Sequence, residues 1–470
     1  MESISVDVLV LGWGKAGKTL AGALGRQGQH VALVERSPQM YGGTCINVAC
    51  VPTKALIHRA EERRGTDDPA DYFATSVVAR DTLIAQLNAR NHAMLAEVDT
   101  VTLIDGQARF VAPDQVEVSA GADRLLVRAD TVVVNTGTVP APPQFEGAAD
   151  STRVYDSTTL QHVEPLPRRL VVVGAGYVGL EFASMFAHFG SSVHVVDHNE
   201  SLLPREDRDV AEAVRRLLEE QGVEFHLGQT VQSVLDHDGA EQGPGTVVTI
   251  SGSPDLGTRT LRADAVLVAT GRVPATPDLD LARAGVTTDA RGFIEVDEHL
   301  RTATPTVFAV GDVNGGPQFT YVSLDDHRIV LDQLVGSGGR TTKDRVAVPT
   351  TTFLSPPLAR VGISETEARE LEIDVLVAVK DVAGIAAMPR PKIVGETHGL
   401  IKVIVDAETD LILGATLFCI DAQEVVNLIA LAMRTGTTAS RLRDGIWTHP
   451  STTEALNEVL ASLRPLAPGA

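Results

Sequence analysis

Two of the chain's three cysteines, Cys45 and Cys50, stand in the stretch Gly42-Gly43-Thr44-Cys45-Ile46-Asn47-Val48-Ala49-Cys50-Val51-Pro52-Thr53-Lys54. Thiols at this spacing have three readings: a redox pair, two ligands of a metal, or idle groups in a loop. On an ideal helix, residues five apart lie about 7.5 Å apart along the axis and about 140° apart in direction. A disulfide needs Cα atoms within about 4.4–6.8 Å. If the two cysteines pair, the backbone between them must leave a regular helix. Pro52 suits a first helical turn, and a helix would run on through Thr53-Lys54-Ala55-Leu56-Ile57-His58. Cys50 then lies at a helix N-terminus, where the dipole and free N–H groups stabilise a thiolate. Metal ligation usually draws on four Cys or His, and no second cysteine pair stands elsewhere in the chain. No resident metal is expected.

The elements around this stretch are legible from apolar periodicity. Val8-Leu9-Val10-Leu11 has the character of a buried parallel strand, and it leads into Gly12-Trp13-Gly14-Lys15-Ala16-Gly17. A helical stretch from Lys18 to Gln27 follows, then a strand from His30 to Val34 that ends at Glu35. Such a β-α-β unit binds a dinucleotide: glycines permit the tight turn and close phosphate approach, the helix N-terminus takes the pyrophosphate, and the acid takes ribose hydroxyls. Trp13 and Lys15 are unusual in the loop; Lys15 either adds charge at the phosphates or is simply solvated. Residues 72–98 are expected to be helical, and 101–134 to form short strands. Val132-Val133-Val134-Asn135-Thr136-Gly137 ends the last of these, and prolines at 140, 142 and 143 mark a domain edge.

A second unit starts at Leu170-Val171-Val172-Val173, with Gly174-Ala175-Gly176-Tyr177-Val178-Gly179, a helix from Leu180 to Phe189 and a strand from Ser192 ending at Asp197. Gly174 and Asp197 are twenty-three residues apart, as are Gly12 and Glu35. Two such units imply two nucleotides. The acid at Asp197 favours NADH over NADPH, because it would repel a 2′-phosphate; Arg205 and Arg208 are the residues that could counter it. Ala269-Thr270-Gly271-Arg272 repeats the Thr-Gly strand ending, and Thr306 to Gly311-Asp312 is a further apolar strand with an acid at its ligand-facing end. From Val346 the pattern becomes α+β, with strands near 348–353, 376–380, 400–405 and 411–418, and helices near 364–371 and 421–435. Trp447-Thr448-His449-Pro450-Ser451-Thr452-Thr453-Glu454 sets a His and a Glu five apart before a last helix.

With 470 residues the chain exceeds one core. The expected division is 1–157 (the first dinucleotide unit, with the cysteine stretch), 158–275 (the second dinucleotide unit), 276–345 (second part of the first domain) and 346–470 (the α+β unit). Hydrophobic residues make up 44% and charged residues 21%, an ordinary α/β composition. The net charge of −21 disfavours nucleic acid and anionic membrane surfaces. No apolar run reaches a membrane span, the N-terminus lacks a signal-peptide pattern, and three cysteines do not make a secreted disulfide framework. A cytoplasmic location is expected.

Taken in order, these motifs resemble the pyridine nucleotide–disulfide oxidoreductase family of flavoprotein disulfide reductases, which includes glutathione reductase, dihydrolipoamide dehydrogenase and mercuric reductase. The resemblance spans nearly the whole chain. Gly14-Lys15-Ala16-Gly17-Lys18-Thr19-Leu20, Ala387-Met388-Pro389-Arg390-Pro391-Lys392-Ile393 and Leu413-Gly414-Ala415-Thr416-Leu417-Phe418-Cys419 are most similar to the bacterial reactive-chlorine-resistance branch. The resemblance implies an α/β fold with two Rossmann-like domains and a C-terminal α+β dimerisation domain. FAD would be held by Gly12, Gly14, Gly17, Glu35, Arg36, Gly43, Thr44, Lys54, Thr136, Gly137, Gly311 and Asp312. NADH (or NADPH) would be held by Gly174, Gly176, Tyr177, Gly179, Glu181, Asp197 and Gly271. It further implies a redox disulfide Cys45–Cys50, with Cys50 the sulfur against the flavin and Cys45 the interchange thiol. Lys54 would pair with Glu181, tuning the flavin's electronics. Tyr177 would cover the nicotinamide pocket, its plain alternative being a packing aromatic.

His449 and Glu454 would act across a homodimer interface as proton shuttle and orienting acid. The substrate implied is a small oxidant or metal ion such as copper(II) or hypothiocyanite. The rivals are a lipoamide, glutathione- or mycothione-type disulfide reductase, a mercuric reductase-like enzyme, and a flavin-bound redox sensor. Ala49 departs from the family's usual glycine. The extra metal-binding domain and C-terminal cysteine pair of mercuric reductases do not appear in the sequence. Cys419, in an apolar run, is expected in the core.

Overall fold

The computed structural model describes residues 2–239, 244–253 and 255–466; Met1 and residues 467–470, the outer ends of the first and last expected domains, lie outside the described residues. Strand β1 (Glu2–Leu11) is longer than its apolar run predicts, because its exposed outer half also pairs in parallel, Glu2 opposite Leu125. It leads to α1 (Lys15–Arg26) and β2 (Val31–Glu35). The cysteine stretch folds as α2 (Thr44–Asn47) and α3 (Cys50–Glu62), broken at Val48 and Ala49, where Ala49 takes φ −125° and ψ −95°. Next comes α4 (Pro69–Ala96), which starts earlier than expected: Pro69 occupies the first helical position and the Asp68 carboxylate accepts from Ala70 N and Asp71 N, both at 3.0 Å.

Strands β3 (Val101–Asp105), β4 (Gln107–Ala112), β5 (Gln115–Ala120) and β6 (Asp123–Val134) complete the first sheet in the order β3-β2-β1-β6-β5-β4. The path β3-β2-β1-β6 is parallel, and β4 and β5 are an antiparallel extension.

The second sheet is built from β8 (Val154–Tyr155), which follows a short β7 (Thr138–Pro140), and from β9 (Arg169–Val173), β10 (Ser192–Asp197) and β11 (Val223–Leu227). Helices α5 (Tyr177–Phe189) and α6 (Arg208–Glu220) connect them. An antiparallel trio, β12 (Gln229–His237), β13 (Gly245–Gly252) and β14 (Thr258–Ala263), precedes β15 (Ala265–Val268). The order is β11-β10-β9-β15-β8, all parallel. The trio covers one face through Val171, Val196, Val248 and Ile250. Strand β16 (Arg272–Pro274) pairs β7 and links the two halves. The chain then returns to the first sheet: β17 (Val307–Ala309) lies parallel to β6, and α7 (Thr320–Val335) packs on α1.

The rest is an antiparallel sheet in the order β18-β19-β22-β21-β20-β23. Its members are β18 (Thr350–Thr352), β19 (Leu358–Gly362), β20 (Val375–Asp381), β21 (Leu400–Asp406), β22 (Ile412–Phe418) and β23 (Arg464–Pro465). Helices α8 (Glu365–Glu370), α9 (Arg390–Val394), α10 (Ala422–Thr435), α11 (Ala439–Arg443) and α12 (Ala455–Leu460) accompany it. Cys419 is fully buried in its core beside Ile429 and Leu456.

Lys402 fastens this domain to the second one. It is buried, and its ammonium donates to Asp207 at 3.1 Å, Asp209 at 2.7 Å and Glu365 at 3.0 Å. A buried cation so surrounded holds the start of α6 against α8. The architecture is α/β, with two Rossmann-like units and a C-terminal α+β domain. No helix among the described residues is long and apolar enough to cross a membrane.

Candidate active site

The sulfurs of Cys45 and Cys50 hydrogen-bond each other. The helical break at Val48–Ala49 makes this approach possible, since a continuous helix would splay the two side chains. Gly43 fixes the segment from the other side. It takes φ +79°, and a Cβ there would come within 2.7 Å of Gly14 Cα, so the cysteine turn rests directly on the first glycine loop.

Cys50 is the first residue of α3, and Thr320, the first of α7, sets its hydroxyl 3.8 Å from Cys50 Sγ. Two helix N-termini therefore converge on one sulfur. The Cys50 pKa is lowered to about 6, first by the hydrogen bond from Cys45 and then by the Lys54 ammonium and Thr320, against the cost of burial. Cys45 is pushed up, by the same hydrogen bond and by burial, so the proton resides there.

Lys54 Nζ donates to Glu181 Oε2 at 2.6 Å, joining α3 to α5, while Glu181 Oε1 accepts from Phe353 N at 2.9 Å. The ammonium also lies 4.9 Å from the centre of the Phe353 ring. Three parts of the chain thus meet at this ion pair.

At the first glycine loop, Gly12 has φ +100° and a Cβ there would meet Asn135 O at 2.5 Å. Glu35 Oε2 accepts from Trp13 N at 3.1 Å, and burial raises the Glu35 pKa. Arg36, beside it, is exposed. Asn135 accepts from Gly17 N at 2.9 Å and donates to Val310 O at 2.8 Å. Trp13 is buried, packs tilted against Tyr41 and stacks with His92, at centroid distances of 4.5 and 5.9 Å. Lys15 is half-buried.

Lys18 donates to Gly42 O at 3.4 Å and to Asn91 Oδ1, clamping the cysteine turn to α1 and α4. Burial and Lys15 lower its pKa to about 8. Asp312 follows β17, accepts from Thr138 Oγ1 at 3.3 Å, and has a pKa raised by burial and opposed by Arg272. The residues here fit a bound flavin nucleotide on one specific ground: Thr136 Oγ1 and Trp13 Nε1 are buried beside this loop without a hydrogen-bond partner. Thr44 opens α2 next to them, and Gly137 and Gly311 turn the ends of β6 and β17.

At the second loop Gly174 has φ +102°, and Asp197 Oδ2 accepts from Ala175 N at 2.6 Å. Gly179 packs where a Cβ would overlap Gly174 O, whereas a Cβ on Gly176 would meet nothing within 4 Å. Gly176 keeps open space before α5, the fit a nucleotide phosphate requires. A cavity of about 370 Å³ lies beside Gly174, lined also by Pro142, Phe145, Asp197, His198, Thr230 and Thr270. Gly271 turns the chain from β15 to β16. Tyr177 is 44% exposed and donates to Glu206 Oε1 at 3.1 Å, so it is not a core-packing aromatic.

His449 and Glu454 form their own cluster in the C-terminal domain. The His449 ring Nδ1 lies 2.9 Å from Glu454 Oε1, and Ser451 N donates to Glu454 Oε2 at 2.8 Å. The His449 side chain is 70% exposed, and Ile446, three residues before it, is 100% exposed. Within one chain the structure brings Cys45, Cys50, Lys54 and Glu181 together, but not this pair with them.

Sequence reasoning missed Thr320, Asn135 and Lys18. Thr320 is 270 residues from Cys50, and nothing local marks it.

Comparison with known proteins agrees with this geometry. Residues 6–326 match the family model for pyridine nucleotide-disulphide oxidoreductases, and residues 348–460 match that family's dimerisation domain. The chain is 40% identical to the Escherichia coli (strain K12) protein named "Probable pyridine nucleotide-disulfide oxidoreductase RclA", over 97% of this chain and 99% of that one. It is 33% identical to a mercuric reductase of Streptomyces lividans, over 96% and 94% of the two chains. A solved structure described as the Cu(II) complex of HOCl-induced flavoprotein disulfide reductase RclA from Escherichia coli superposes with a TM-score of 0.91 at 40% identity, over 97% of this chain and 99% of that one. The dimerisation domain supports a homodimer. The chain belongs to the pyridine nucleotide-disulphide oxidoreductase family, and it is an oxidoreductase that uses FAD and NAD(P)H.

Proposed function

We propose that the chain passes reducing equivalents from NADH through FAD and the Cys45–Cys50 pair to a small oxidant or metal ion such as copper(II) or hypothiocyanite, in oxidative-stress defence in the cytoplasm. The observation that carries the dithiol role is the break between α2 and α3, which brings Cys45 to Cys50 at the start of α3, where Thr320 and Lys54 lower the Cys50 pKa. When bound, FAD supplies two-electron transfer from the nicotinamide to the cysteine pair. Glu35, Asp312, Thr136 and the loop of Gly12, Gly14 and Gly17 would hold it, with Arg36, Gly43, Thr44, Gly137 and Gly311 around them. Gly174, Gly176, Gly179, Tyr177, Asp197 and Gly271 would hold the nicotinamide nucleotide. Lys54 keeps a positive charge beside Cys50, and Glu181 keeps Lys54 in place.

The NADH preference rests on where the arginines lie. Arg208 lines a separate cavity with Asp207, Asp209 and Lys402, and the Arg205 charge acts on Tyr177. Neither lines the cavity beside Asp197, whose carboxylate also accepts from Asn199 N at 2.8 Å.

As the dithiol closes to a disulfide, two electrons leave and the Cys45 proton must be taken up. The imidazole of His449 is the group that can take it up, and Glu454 holds its ring in place. Its exposure beside Ile446 supports service to the partner subunit's cysteines, with the dimer completing each site.

The substrate class follows the likeness to RclA, whose solved form carries Cu(II). Rapid mixing of NADH-reduced enzyme with copper(II), hypothiocyanite, lipoamide and oxidised glutathione tests it. Reoxidation should be fastest with one of the first two. Faster turnover of lipoamide or glutathione disulfide would replace this reading with an organic disulfide reductase.

A further inference from the structure

On the NAD(P)H-binding unit, far in sequence from both cysteines, three potential ligands converge at the edge of the second sheet. Parallel pairing sets His194 of β10 opposite Glu224 of β11, and Val196 opposite His226, so all three side chains share one face. That face is the one the β12–β14 trio covers, through Val171 and Val196. His194 Nδ1 lies 3.2 Å from His226 Nε2 and 3.4 Å from Glu224 Oε2. All three candidate donor atoms lie within 4.8 Å of one another.

Metal–ligand bonds of about 2.0–2.1 Å at a tetrahedral angle place neighbouring donors about 3.3–3.4 Å apart. The two spacings from His194 Nδ1, 3.2 and 3.4 Å, are close to that value. The third closes by rotation of Glu224, whose side chain is 69% exposed, while His194 is mostly buried at 19%. We infer that His194 Nδ1, His226 Nε2 and one Glu224 carboxylate oxygen bind a single divalent transition-metal cation of the zinc class, with water in the fourth position.

Without the cation, one ring N–H donates to the other ring's nitrogen. Binding requires only that the donating ring carry its proton on its other nitrogen instead, and no proton need be released when both rings are neutral. The charges fit as well. The Glu224 carboxylate offsets the cation and also the Arg259 guanidinium of β14, which acts on His226. Although His194 is followed by His198 at helical-type spacing, His198 lies 3.6 Å from Asp197 and takes no part.

Zinc(II) titration of the FAD-bound homodimer by calorimetry tests the site, in a Cys45→Ser/Cys50→Ser background that removes the accessible sulfur ligands. The expected result is one zinc(II) per chain, weakened roughly tenfold by Glu224→Gln and by a larger factor in His194→Ala and His226→Ala. Glu224 is exposed, so its substitution reports binding without endangering the fold. In a cysteine-intact enzyme, the same three variants should leave NADH-dependent turnover unchanged. Equal zinc(II) affinity in all three variants, or no zinc(II) bound at micromolar concentration, would overturn the assignment.

Discussion

The two glycine loops start with the same backbone. Gly12 and Gly174 have φ +100° and +102°, and in each the acid at the end of the next strand accepts from the loop N–H that follows, Trp13 or Ala175. They diverge at one position on the neighbouring strand. After β6 comes Asn135-Thr136-Gly137; after β15 comes Ala269-Thr270-Gly271. Asn135 fills the first loop so closely that a Cβ on Gly14 would overlap its Oδ1, and it accepts from Gly17 N. Ser323 of α7 takes a second helix amide, from Ala16, at 3.2 Å. Ala269 does none of this, and Gly176, Tyr177 and Val178 stay exposed. One loop is locked by three parts of the chain, as suits a resident cofactor. The other is left open, as suits a nucleotide that arrives and departs each cycle.

Asn135→Ala should have the largest effect, because it strands the buried Gly17 N–H and the Val310 carbonyl. A loss of roughly 2–4 kcal/mol is expected, seen as a lower denaturation midpoint and flavin released during gel filtration. Undiminished flavin retention would break the comparison. Ala269→Asn makes the opposite change. It should weaken NADH by about tenfold, or ~1.4 kcal/mol, and leave flavin content at one per chain, as read from KM and absorbance. Smallest is Asp197→Ser, which also loosens the loop contact to Ala175. Both nucleotides should bind less well, with the NADPH-to-NADH ratio of kcat/KM rising roughly three- to tenfold; an unchanged ratio would remove Asp197 from the discrimination.

Much of this was legible in the sequence because the repeated unit is local. The spacing of twenty-three residues from glycine to acid, the Thr-Gly strand endings, the cysteine spacing and the His449–Glu454 pair all lie within short windows. Helix starts were read late, Lys18 for Lys15 and Leu180 for Tyr177, since glycine-rich loops hide the first turn behind low helix propensity. What could not be read depends on distant pairing. Thr320 reaches Cys50 only when α7 returns to the first sheet, and Asn135 gains its role only because β6 lies beside β1. His194, Glu224 and His226 meet because two strands run in parallel register. The letters of Asn135 and Ala269 were in view, but their contrast acquires meaning only from the loops they face.

The central claim is that Cys50 carries a thiolate in electronic contact with the flavin, with Cys45 as its proton-holding partner. Anaerobic NADH titration of the FAD-bound enzyme, followed spectrally across pH, tests it most directly. Because the Cys50 pKa is lowered to about 6, the thiolate is present at neutral pH and is lost as pH falls through that value. The account predicts a long-wavelength absorbance band on reduction, strong at pH 7–8, fading below about 6, and absent in Cys50→Ser. Simple bleaching of the flavin at every pH, or a band that survives Cys50→Ser, would contradict it.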